Sequence, residues 1–184
     1  MTRDPEHLPP IDRESKQWNI IIETPKGCRN KYKFEPKHQV YTLSGVLPAG
    51  ADFPFDFGFI PSTLGPDGDP LDVLLLMDEP AFAGCLVPAR LIGGIEAKQT
   101  ERDGTRERND RLIAVASDFK EMKDVRSLKD LNKSIVEDIE HFFVSYNQMR
   151  GKVFKPIGRF GPKHAERIAR EGIKAFRKNG KAVK

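Results

Sequence analysis

Apolar residues follow two different periods along this chain. As far as Ala116 they alternate with polar residues or run continuously in short blocks; beyond residue 127 they recur every three or four positions. The first pattern marks strands and the second amphipathic helices. Residues 18–23, with Trp18 and Ile20-Ile21-Ile22, form the first expected strand, and Thr24-Pro25-Lys26-Gly27 turns the chain. Residues 31–34 and 38–43 give two more strands, and a Gly/Pro loop covers 44–51. In residues 53–59 four phenylalanines alternate with Pro54, Asp56 and Gly58. The Pro and Gly there suit an edge or irregular strand. Further strands are expected at 73–77, 84–92, 95–99 and 111–116, with a charged loop over 100–109. Short strands between turns predict a small, closed, mostly antiparallel barrel.

Two helices follow. Ser127 with Asp130 three residues on resembles a capping box. Leu128, Leu131, Ile135, Ile139, Phe142, Tyr146 and Met149 are spaced as one buried stripe. Pro162 opens the last helix, which ends near Asn179-Gly180, and its stripe is Ala165, Ile168, Ala169, Ile173 and Phe176. Residues 1–16 are Pro-rich and polar, an irregular arm that serves at most as a packing strap. The expected organisation is a single domain over residues 1–184, of α+β class and mainly β, with the two helices flanking the barrel from the C-terminal third.

Composition narrows the function classes. Charged residues make up 32% and hydrophobic residues 38%, and no apolar run approaches the ~20 residues of a membrane span. No apolar leader follows Met1, and Cys28 and Cys85 lack metal-ligand spacing, so a cytoplasmic protein with reduced thiols is expected. From Arg150 to Lys184 twelve Lys/Arg face two acidic residues, but most lie off the helical stripe and read as a solvated face. From His38 through Ala89 no Lys or Arg occurs at all. A surface that meets nucleic acid needs those cations against phosphate, so nucleic acid is not an expected partner.

The candidate chemistry lies in that cation-free window. Gly65-Pro66-Asp67-Gly68-Asp69-Pro70-Leu71-Asp72 places three carboxylates in six residues and runs straight into the apolar block Val73-Leu74-Leu75-Leu76. Ionised carboxylates this close repel, and burial without a partner raises the cost. A divalent cation removes the conflict, and Mg²⁺ in particular takes a few carboxylates together with water and phosphate oxygens. An EF-hand is excluded, since Asp72 stands where its glycine would be and position twelve is Asp78 rather than Glu.

The stretch Asp67-Gly68-Asp69-Pro70-Leu71-Asp72-Val73 resembles the signature of the soluble inorganic pyrophosphatase family, the Mg²⁺-dependent type with an OB-like barrel. Supporting matches are Ile22-Glu23-Thr24-Pro25, Asn30-Lys31-Tyr32, Gly58-Phe59-Ile60, Leu112-Ile113-Ala114-Val115, and His141-Phe142-Phe143 with Tyr146. The resemblance spans about residues 18–153. It implies a five-stranded OB-like closed barrel with flanking helices, several Mg²⁺ ions (with Mn²⁺, Zn²⁺ or Co²⁺ as alternatives), and hydrolysis of pyrophosphate to two phosphates. It also implies a homo-oligomer such as a hexamer. By the same resemblance Asp67, Asp69, Asp72, Asp110 and Glu101 are the metal carboxylates. Asp69 is the catalytic residue that takes the proton of the attacking water. Lys31, Arg111, Tyr146 and Glu23 line the substrate side.

The chain departs from the family pattern at the site itself. Lys33 stands where the family has Glu, Gly45 where it has a phosphate-binding Arg, and Phe53 and Phe57 where it has tyrosines. Asn109 replaces a metal aspartate with Asp110 next to it, Arg111 replaces Lys, and Asn147 replaces a basic residue. Two phosphate clamps are thus absent from their usual positions, and Lys33, Arg106, Arg108, Arg150 and Lys152 are the candidates to replace them. The alternatives kept open are hydrolysis of a larger diphosphate compound and a non-catalytic binding module of the same fold.

Overall fold

The computed structural model describes residues 4–182. The described residues form nine strands: β1 (Trp18–Thr24), β2 (Asn30–Glu35), β3 (Val40–Val46), β4 (Asp56–Ile60), β5 (Leu71–Leu76), β6 (Leu86–Thr100), β7 (Arg106–Arg108), β8 (Arg111–Ala116) and β9 (Val153–Phe160). Helix α1 (Lys133–Met149) precedes β9, and α2 (Pro162–Ala182) follows it. The chain is therefore mainly β with two helices, but its strands are not five. Seven of them join one sheet, and β2 and β3 form a separate hairpin.

Within the larger sheet β1 pairs with both β4 and β6. The pairings β4–β5, β5–β8 and β8–β6 complete a circuit that returns to β1. β7 and β9 are added on β6. The β5–β8 pair is parallel and the other pairs are antiparallel. Both of these strands are covered on two faces, which is why they read as continuous apolar blocks instead of alternating.

β6 is one long strand where the sequence suggested two. Its register shifts between Leu91 and Gly93. Gly93 has φ +145, and a Cβ there would stand 2.3 Å from the Phe160 carbonyl oxygen. The side-chain-free pair Gly93-Gly94 thus lets β6 bend and lets β9 cross close to it.

Ser127 and Asp130 do form a capping box, but it opens only a 3₁₀ turn, Leu128–Asp130. The helix starts afresh at Lys133 with Asn132 as its cap. Leu128 and Leu131 therefore do not set its phase. The buried stripe is Val136, Ile139, Phe143 and Tyr146, while Met149 is exposed. α2 behaves as its pattern foretold: Ala165, Ala169 and Ile173 are buried, and Lys163, Arg167, Arg170, Lys174, Arg177 and Lys178 are exposed. It runs past the expected end at Asn179-Gly180 to Ala182.

The N-terminal arm contains one short 3₁₀ turn, Pro5–His7. It is strapped down by backbone groups. Ser62 donates its N–H to the Glu6 carbonyl and its hydroxyl to that of Leu8, and Asn19 Nδ2 donates to the Pro9 carbonyl. Among the described residues no helix is long and apolar enough to cross a membrane.

Candidate active site

The acidic turn lies where the chain enters β5. Asp67 and Asp69 sit before the strand and Asp72 within it. The turn is closed by Gly65, whose N–H donates to the Asp69 carbonyl, and by Asp69, whose N–H donates to Asp67 Oδ1. Burial raises the Asp67 carboxyl above its ordinary value; Asp72 and Asp69 raise it further, against its hydrogen bond from Asp69 and the Arg111 charge. Negative charge is thus in surplus at this turn.

Two cations answer part of it. Lys33 on β2 holds both carboxylate oxygens of Asp69 at 3.0 and 3.1 Å. Burial lowers the Lys33 ammonium, but the bond to Asp69 and the negative charges of Asp69, Glu23 and Asp72 together outweigh it, and its pKa rises. Arg111, at the start of β8, is buried and shares one guanidinium nitrogen between Asp72 Oδ2 and Asn109 Oδ1. Its Nε is buried without a partner among the described residues.

Beneath these charges lies an aromatic floor. Phe53 and Phe57 (5.8 Å between ring centroids), Phe142, Phe143 and Tyr146 pack edge to face or tilted, except for Phe142 and Tyr146, which stack, with Phe154 beyond Phe143. Lys31 Nζ stands 4.6 Å above the Phe57 ring, and the Arg111 guanidinium 5.3 Å above Phe143. The Phe57 ring thus holds the Lys31 ammonium over its face, while Phe53 packs among the rings.

The expected site residues divide between two cavities. The larger, about 550 Å³, is lined by Asp67, Asp72, Asn109, Asp110 and Arg111, with α2 along one side. The smaller, about 290 Å³, is lined by Lys31 and Tyr146 together with Gly45, Arg102 and Arg150. Asp69 is more exposed and lines neither. Asp110 is engaged by Arg108 Nε at 2.8 Å and by the Ala97 N–H. Glu101 is bonded to Lys152 Nζ at 2.6 Å and accepts from Gln99 Nε2. Arg150 was among the candidates to replace a clamp, whereas Arg102 was missed by sequence reasoning. No local signal marks it, because it meets Arg150 across a loop and a helix end.

Glu23 on β1 is buried and accepts the Phe34 N–H at 2.9 Å. Burial pushes its carboxyl up to about 7; the Phe34 bond, Lys31 and Lys33 pull it down, and Asp72 pushes it up again. The folded protein therefore keeps a proton that the unfolded chain releases above its ordinary value of 4.5. Between these two values stability falls as pH rises, by roughly 3 kcal/mol in all, and below the lower one the penalty is absent. Glu23→Gln keeps the acceptor oxygen and is expected to remove this slope. In metal-free protein above neutral pH it should unfold at higher urea than the parent, and at acid pH the two should agree. Equal midpoints above neutral pH would mean that the carboxylate is accommodated without cost.

Among the described residues no three His, Cys, Asp or Glu side chains converge tightly enough to grip a metal by themselves. That donor set still suits Mg²⁺, which binds through one or two carboxylates and keeps its remaining positions for water and phosphate. The observation in favour of such a cation is that Asp67 and Asp72 line one cavity, where burial and each other's charge disfavour ionisation of Asp67 without a counter-ion.

Comparison with known proteins decides the family. Residues 20–177 match the family model described as inorganic pyrophosphatase. This chain belongs to the inorganic pyrophosphatase family. Among its relatives, the inorganic pyrophosphatase of Nostoc sp. is 35% identical over 159 residues, covering 86% of this chain and 91% of the relative. The inorganic pyrophosphatase of Synechocystis sp. is 38% identical over 140 residues, covering 76% and 80%. The crystal structure of the Thermus thermophilus pyrophosphatase superposes with a TM-score of 0.86 at 30% identity, covering 95% of this chain and 99% of that one.

Proposed function

We propose that this pyrophosphatase-family chain hydrolyses inorganic pyrophosphate to two phosphates with a divalent cation, Mg²⁺ foremost and Mn²⁺, Zn²⁺ or Co²⁺ as substitutes. The observation that carries this is the acidic turn of Asp67, Asp69 and Asp72 beside Lys31 and Arg111 on one aromatic floor. Acceptors for a cation and donors for an anion thus stand together. The circuit of strand pairings supports reading the core as the family's OB-like barrel, enlarged by β7 and β9.

Asp67 and Asp72 are the carboxylates best placed to hold the cation, with Asp69 and Asp110 completing the set. Glu101 is set apart from it by its bonds to Lys152 and Gln99. When bound, the cation neutralises the diphosphate and acidifies the attacking water. Asp69, exposed and held only by Lys33, takes the proton of that water. Lys31 and the Tyr146 hydroxyl bind phosphoryl oxygens, and Arg111 orients Asp72 while lending its charge to the same side. Glu23, buried behind Lys31 and bonded to the Phe34 N–H, is the remaining carboxyl on the substrate side. The exposed apolar side chains Val40, Leu43, Val46 and Phe82 support a homo-oligomer that covers them.

The test is phosphate release from pyrophosphate by the purified protein, with Mg²⁺ and with a chelator. The expected result is metal-dependent turnover, with kcat above about 1 s⁻¹. A nucleotide or organic diphosphate that outcompetes pyrophosphate would replace the substrate. No turnover with any of the four metals would leave a non-catalytic module.

A further inference from the structure

We propose that Arg150 is the guanidinium that grips a terminal phosphoryl group of the substrate, in the space that the glycine at position 45 leaves free. The smaller cavity carries Lys31, Arg102, Arg150 and the Tyr146 hydroxyl, and no carboxylate is among its described lining residues. Three cations around so small a hollow repel one another, and an anion between them relieves that repulsion. The chemistry that fits is a compact polyanion such as a phosphoryl group. A guanidinium offers it a planar fork of donors that an ammonium lacks.

The position of Arg150 is built rather than incidental. It caps the C-terminal end of α1, with its N–H bonded to the Asn147 and Gln148 carbonyls. Its own carbonyl accepts from Arg102 Nε at 2.7 Å. Gly151, with φ +72, takes the left-handed conformation that ends the helix there. The side chain then turns back over the Tyr146 ring, 5.4 Å from its centroid, and Nη1 donates to the Tyr146 hydroxyl at 2.7 Å. Asn147, at the position where the family has a basic residue, is spent inside the helix on the Phe143 carbonyl.

Gly45 makes the argument specific. Its backbone is not in the left-handed region, so a side chain at 45 would meet no strain from φ, although the β2–β3 register shifts beside it. A Cβ built on it would lie 3.9 Å from Arg150 Nη1 and meet nothing nearer. The guanidinium of Arg150 therefore borders the volume that a side chain at 45 would enter. A cation supplied from β3 and one supplied from the end of α1 are alternative ways to fill one place. Lys33, bound to Asp69, and Arg108, bound to Asp110 and Glu96, are already committed to carboxylates.

This inference rests on the pyrophosphatase reading for the identity of the anion, and its test separates the two. Phosphate binding to metal-free protein is measured by calorimetry, and pyrophosphate hydrolysis with Mg²⁺ by steady-state kinetics. The proteins are the parent, Arg150→Ala, Gly45→Arg/Arg150→Ala, and Lys155→Ala, an exposed control for lost charge. Arg150→Ala is expected to raise KM and weaken phosphate binding by about 10- to 100-fold, with Lys155→Ala unchanged. The double variant is expected to recover most of both losses. If Arg150→Ala does not fold, Arg150→Lys, which keeps the charge and loses the fork, is expected to show a partial loss. Parent-like KM and phosphate affinity in the Arg150 variant overturn the proposal, as does a folded double variant with no recovery. A parent that hydrolyses nothing defeats the pyrophosphatase reading, while the phosphate titration still decides on Arg150.

Discussion

Asp69→Asn is expected to lower kcat for pyrophosphate by about 10²- to 10⁴-fold, the range that a positioned general base supplies. The same change should hardly touch stability. The Asp69 carboxylate is 59% exposed, and its one ionic partner, Lys33, is 47% exposed. An ion pair in that setting contributes up to about 1 kcal/mol. Asparagine still offers Lys33 one oxygen, so the local turn has little reason to rearrange. The Asp69 N–H bond to Asp67 is a backbone contact and survives. Steady-state phosphate release at saturating pyrophosphate and Mg²⁺, beside urea unfolding of the same samples, checks both halves. A kcat within a few-fold of the parent would remove Asp69 from the proton transfer. A large loss of stability would mean that the turn itself had collapsed.

Arg111→Ala is expected to do the reverse and strike stability first. The Arg111 side chain is 9% exposed, is paired with Asp72 and Asn109, and lies against Phe143 and Phe154. Removing one partner of a buried pair leaves the other uncompensated and costs about 3 kcal/mol or more. The alanine also opens a void above the aromatic floor. Urea unfolding in a chelator, which keeps a cation from rescuing Asp72, should show the loss. Asp72→Asn added to Arg111→Ala should recover part of it, because the stranded charge is gone while the void remains. Simple additivity of the two changes would disprove the coupling. Arg111→Lys is the informative intermediate. It loses the Nη1 that Asp72 and Asn109 share, but it also removes the buried Nε that has no partner among the described residues. Its cost should therefore fall well below that of alanine.

These two residues also show how far the chain can be read before it is folded. The acidic turn and the apolar block behind it are contiguous, so their chemistry was visible from spacing alone. The same holds for the two-sided burial of β5 and β8 and for the stripe of α2, since periodicity is a property of neighbours in sequence. β9 was not visible. Pro156 and Gly158 interrupt it, and it is a strand only because β6 offers an edge, with a register shift between Glu96 and Ala97 opposite Pro156. The stripe of α1 differs in part: the helix is capped by Asn132, whose side chain accepts the Ser134 N–H, and Val136 and Phe143 join the expected Ile139 and Tyr146 on its buried face.

Charge pairing was still less legible. Lys33 meets Asp69 from 36 residues away, and Arg111 meets Asp72 from 39. Nothing between those positions announces the encounter. Substitutions that looked like losses in the linear chain, glycine at 45 and phenylalanine at 53 and 57, acquire partners once β3 and α1 face one another. Local pattern therefore settled the acidic turn, the strands with strong apolar runs and the family. Which cation answers which carboxylate, and that Arg150 borders the open space at Gly45, depended on distances between remote segments, because electrostatic and packing energies follow separation in space and not along the chain.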